Sequence, residues 1–71
     1  MKREVDRREF SHERLNEMMQ LCDVSAADIS RATGVTESKL SEYRSGKRRP
    51  GLHNAIMISS YLGVPLEQLL A

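Results

Sequence analysis

The chain has 71 residues, with 11 Lys or Arg against 10 Asp or Glu, a single cysteine and 39% hydrophobic residues. That length suits one small domain, whose core supplies only about 3–5 kcal/mol. One cysteine excludes an internal disulfide framework and makes a reducing, cytoplasmic setting the expectation, and no run approaches the roughly 20 apolar residues of a membrane span.

In chain order, residues 1–9 are charged throughout and contain no secretory apolar stretch. They read as a charged arm or as an extra turn on the first helix, ahead of a domain over 10–71. At Phe10-Ser11-His12-Glu13-Arg14-Leu15 a serine cap stands between two apolar residues placed to staple a helix start. The spacing Leu15, Met18, Met19, Cys22 then predicts a first helix near 10–22 with its thiol on the apolar face. The same start recurs at Val24-Ser25-Ala26-Ala27-Asp28-Ile29, where Asp28 can reach back to complete a capping box, and again at Val35-Thr36-Glu37-Ser38-Lys39-Leu40. Gly34, Gly46 and Gly63 stand where helices end. The predicted helices are 26–33, 37–45, 52–62 (through Ala55, Ile58, Ser59 and Leu62) and a last one near 66–70 opened by Pro65. No segment alternates with period two, so the expected fold class is all-α, a compact five-helix bundle.

Net charge is only +1, but residues 36–50 hold five basic and two acidic side chains, a local +3 that peaks at Lys47-Arg48-Arg49. This cluster follows two short helices joined by Thr33-Gly34-Val35-Thr36, and a short glycine turn between two helices is the helix-turn-helix signature. Ser30 is small where the two helices must approach closely, and Ile29, Val35, Leu40 and Tyr43 supply an apolar seam.

The run from Ile29-Ser30-Arg31-Ala32-Thr33-Gly34-Val35-Thr36 through Ser41-Glu42-Tyr43-Arg44-Ser45-Gly46-Lys47-Arg48-Arg49-Pro50, followed by Ile58-Ser59-Ser60-Tyr61-Leu62-Gly63-Val64-Pro65-Leu66, closely resembles the Cro/C1-type (lambda-repressor-like, XRE) helix-turn-helix family. The likeness extends from about Phe10 to Leu70. It implies a DNA-binding domain that works as a homodimer on a two-fold operator. Two departures stand out. Ala26 replaces the glutamine that often opens the second helix and touches DNA. Arg44 replaces a glutamate, while Met19 occupies the position of that glutamate's usual basic partner, so both ends of a frequent ion pair are missing together and Arg44 is left to face phosphate.

With Leu40 and Tyr43 on the core side of the third helix, the candidates for base edges are Thr36, Glu37, Ser38, Ser41, Glu42 and Ser45. A carboxylate there can accept from cytosine N4. The phosphate candidates are Arg31, Lys39, Arg44, Lys47, Arg48 and Arg49. Val64, Leu66, Leu69 and Leu70, with only Glu67 charged nearby, are candidates for a dimer interface. Half-sites would then lie about 10–10.5 bp apart. His12, His53 and Cys22 lack any ligand or nucleophile spacing, and no glycine-rich phosphate loop is present. No enzyme activity, metal or cofactor is therefore expected, nor a membrane association or a small-molecule ligand domain. The alternative from another class is an antitoxin or adaptor that uses the same scaffold to bind a protein.

Overall fold

A computed structural model describes residues 3–71; Met1 and Lys2, the first two residues of the predicted arm, lie outside the described residues. Four α-helices follow one another: α1 His12–Cys22, α2 Ala26–Thr33, α3 Glu37–Ser45 and α4 Leu52–Leu62. The expected fifth helix is instead a single 3-10 turn, Leu66–Leu69. The reason lies in its length. Four residues after Pro65 cannot complete the i→i+4 bonding that repays helix nucleation, and the chain leaves extended at Leu70.

Helices α1, α2 and α3 each start where a side-chain cap stands, whereas α4 follows Gly51 without one. The Ser11 and Thr36 side chains accept hydrogen bonds from the Arg14 and Lys39 backbone N–H groups, both at 3.2 Å. At α2 the capping box is reciprocal: Asp28 N–H donates to Ser25 Oγ at 3.1 Å, and Ser25 N–H to Asp28 Oδ2 at 2.9 Å. The Ser25 backbone N–H, and after it the Ser25 hydroxyl, hold the Asp28 carboxyl below its ordinary range. Gly34 and Gly46 end α2 and α3 at φ of 80° and 81°, a region that penalises any Cβ. Helix α1 ends differently. Asp23 adopts φ 54° without being glycine, so this terminus carries no glycine signal.

Leu15, Ile29, Leu40, Ile58 and Leu69 have no accessible surface and form the centre of one core, joined by Met19, Val35, Tyr43 and Leu62. The predicted seam between α2 and α3 is buried as expected, and so is the stripe Ala55, Ile58, Ser59, Leu62 of α4. Cys22 corrects the reading of α1: it is exposed, with Sγ 3.6 Å from the Leu62 carbonyl oxygen. Cys22 is the last residue of α1, and the chain turns away just beyond it at Asp23.

Residues 3–9 contain no helix, so the extra turn on α1 is not formed among the described residues. This segment instead leads into a single antiparallel bridge between Phe10 and Leu70. Glu9 and Ala71 exchange both backbone hydrogen bonds at 3.0 and 2.9 Å, and Ser11 N–H donates to the Leu69 carbonyl at 2.8 Å. The two ends of the domain are thereby tied beside the 3-10 turn.

Candidate nucleic-acid interface

Helix α3 is oriented by two anchors. Leu40 is sealed in the core, and Tyr43 is 3% exposed with its hydroxyl accepting from Asn54 Nδ2 of α4 at 3.1 Å. Turning those residues inward turns Glu37, Ser38, Ser41 and Ser45 outward. Together with Asn16 of α1, Ala26 of α2 and Arg44 they line an open concavity of about 770 Å³.

The six predicted base-reading side chains do not stand alike in it. Glu37, Ser38 and Ser41 are exposed and make no side-chain hydrogen bond among the described residues. The Thr36 hydroxyl is occupied in capping α3. Ser45 Oγ donates to the Glu42 carbonyl at 3.1 Å and accepts from Lys47 N–H at 3.4 Å, which commits it to the end of the helix. Glu42 departs furthest from expectation. Its carboxylate accepts from Arg48 Nε at 3.2 Å and is half-buried against the loop, so it faces a cation of its own chain.

The basic candidates are similarly divided. Arg31 pairs with Asp28, Arg48 with Glu42 and Arg49 with Glu9, the last at 2.8 Å. All three arginines remain more than 60% exposed, and exposed pairs of this kind are worth little, so phosphate can displace the carboxylates. Lys39 lies apart from the concavity, beside His53 and the Gly34 turn. Lys47 makes no ion pair among the described residues. Arg44 is not free, as its missing partner suggested. Its Nε donates to Asn16 Oδ1 at 2.8 Å, while Asn16 Nδ2 donates to the Arg44 carbonyl at 2.9 Å.

Two participants were invisible to the sequence reading. Asn16 is a polar residue on a polar face, and its only signal was the vacated ion pair across α1 and α3. Glu9 comes to Arg49 only because the Phe10–Leu70 bridge sets the chain there. The loop itself rests on His12, since a Cβ built on Gly46 would lie 2.7 Å from His12 Nδ1.

The predicted dimer residues also separate. Leu69 has no accessible surface and belongs wholly to the core, which removes it from any interface. Val64, Leu66 and Leu70 are half-buried and keep some surface.

This arrangement of capped helices, glycine turn and basic loop agrees with a comparison against known families, in which the model HTH_3, helix-turn-helix, matches residues 4–69. The chain belongs to the HTH_3 family. HTH_3 is the Cro/C1-type, XRE-like helix-turn-helix family, a family of DNA-binding transcription regulators. A curated relative, the replication factor C small subunit of Thermococcus kodakarensis, is 45% identical over 40 residues, which are 56% of this chain and 5% of that protein. The likeness covers so little of that protein that it carries nothing of its activity to this HTH_3 domain. Among the described residues no helix is long and apolar enough to cross a membrane.

Proposed function

We propose that this HTH_3 protein is a sequence-specific regulator of transcription that lays α3 in the major groove of double-stranded DNA. The supporting observation is the face of α3 itself: Glu37, Ser38 and Ser41 stand exposed above a concavity that Arg44 borders, opposite the buried Leu40 and Tyr43. Occupying a groove is enough to exclude another protein from the same duplex, so we read the regulator as a cytoplasmic repressor. One short helix reads few base pairs, and a homodimer on a two-fold operator doubles them. Val64, Leu66 and Leu70 are the residues of the original set with surface left for that contact.

Binding to random duplex, followed by selection of bound sequences, tests the reading. The joint replacement of Lys47, Arg48 and Arg49 by Ala should weaken binding to every duplex and flatten the salt dependence by about 0.9 per lost phosphate contact. An unchanged slope would remove the loop from the interface. Ser38→Ala should relax preference at one or two positions by about 1–3 kcal/mol.

A second reading, an adaptor or antitoxin that binds protein, has one observation in its favour. Helix α4 carries no Asp, Glu, Lys or Arg and exposes Leu52, Ile56 and Tyr61. A tight protein partner with no shift of any duplex would favour it.

A further inference from the structure

Arg44 is the one arginine of the predicted interface whose bonded partner carries no charge. Arg31, Arg48 and Arg49 each face a carboxylate, which offsets the charge they would offer to DNA. Arg44 faces the Asn16 amide, and no ion pair to it occurs among the described residues. An amide orients a guanidinium without neutralising it. The geometry also selects which donors are consumed: Nε is bonded to Asn16 Oδ1, and the two terminal NH₂ groups are the ones left. Those two donors form the end-on fork of the guanidinium, which can grip a phosphate. They stand beside the concavity that Ala26, Ser38 and Ser41 also line, next to the first turn of α2.

Asn16 itself is fixed twice over. The Arg44 carbonyl lies in the last turn of α3, where carbonyls lack helical partners, and Asn16 Nδ2 supplies the missing donor from α1. Using both ends of the amide determines its orientation and aims Oδ1 at the guanidinium.

We propose that Asn16 is a positioning residue that holds the uncompensated Arg44 guanidinium toward a DNA backbone phosphate at the α2 side of the concavity. The inference rests on the DNA-binding reading and adds the residue that aims this contact. The cation on α3 braced from α1 stands beside Ala26, whose methyl group offers a phosphate no donor.

The competing role for Asn16 is a purely structural cap on α3. The cap bonds a backbone carbonyl and survives in Arg44→Ala, whereas the guanidinium does not, and this separates the two. The experiment is a double-mutant cycle of Asn16→Ala and Arg44→Ala in the full chain, titrated with selected operator and with random duplex across salt, beside melting temperatures of the free protein. Arg44→Ala should lower affinity for both duplexes and flatten the salt slope by about 0.9. Asn16→Ala should weaken both by about fivefold in the Arg44 background, in keeping with loss of one charge-assisted hydrogen bond. In the Arg44→Ala background it should change DNA affinity hardly at all. Equal losses in both backgrounds that track melting temperature would overturn the proposal in favour of the cap. A loss confined to selected operator would make Arg44 a base reader and overturn the phosphate assignment. Wild type shifting DNA while Asn16→Ala binds equally well would sink the proposal alone, and wild type failing to bind any duplex would sink the DNA-binding reading with it.

Discussion

Asp23 concentrates two unfavourable effects in one residue. Its φ of 54° places a Cβ in the left-handed region, and its carboxylate sits at the negative end of α1. Asp23→Gly should therefore raise stability by about 0.5–1 kcal/mol, read from urea unfolding; a loss would mean that the turn needs the side chain. Ser25 and Asp28 show the opposite case of a terminus satisfied on both sides. Ser25→Ala should cost about 1 kcal/mol. The folded Asp28 lies below its ordinary value of 3.8, so its contribution is complete above that value and is lost as pH falls through the lowered one. Asp28→Asn should flatten the acid limb of a stability-against-pH curve below 3.8, and an unaltered limb would count against the capping account. Glu9 holds Arg49 at the edge of the interface. Glu9→Gln should raise affinity for any duplex by about two- to fivefold at low salt, because an exposed pair competes with phosphate only weakly.

At the level of elements, the basic loop is positioned by packing rather than by its own composition. Gly46 ends α3 at φ 81° and lies directly on the His12 ring of α1. Gly46→Ala should cost about 1–2 kcal/mol for the backbone conformation alone, with an added steric part that His12→Ala relieves. Gly34 has the same conformation with open space around it, so Gly34→Ala should show the backbone cost alone. Equal costs at the two glycines would show that His12 simply moves aside. The link matters for function because His12, Gly46 and Asn16 all join α1 to α3. Helix α3 is thus presented from two sides, by α1 through polar contacts and by α4 through Asn54 and Tyr43.

Across the whole molecule, Leu69 closes the core from the far end of the chain. It meets Leu15 and Ile58 in one cluster, and the backbone on either side of it is tied to residues 9–11. Leu69→Ala should cost about 2–5 kcal/mol, a large share of what so small a domain possesses. Leu66→Glu and Leu70→Glu keep the fold in the same measurement and should lower operator affinity if the two-fold contact lies at this end. One protein chain per full operator at saturation would exclude that contact.

The local grammar of the chain determined most of its architecture. Ser11, Ser25 and Thr36 set three helix starts, Gly34 and Gly46 set two ends, and Ile29, Val35, Leu40 and Tyr43 set the seam that makes the helix-turn-helix. These signals are legible because a cap or an apolar face acts within one or two turns of its own position. The exposure of Glu37, Ser38 and Ser41 followed from the same periodicity. Tertiary structure decided what depended on distant partners. It buried Leu69, left Cys22 exposed, shortened the last helix to one 3-10 turn and drew Glu42 and Glu9 onto the loop arginines. It also brought Asn16 to Arg44, 28 residues away. A side chain's charge is written in the sequence, but its partner is whichever group the folded chain places within about 3 Å, and that proximity arises only from packing.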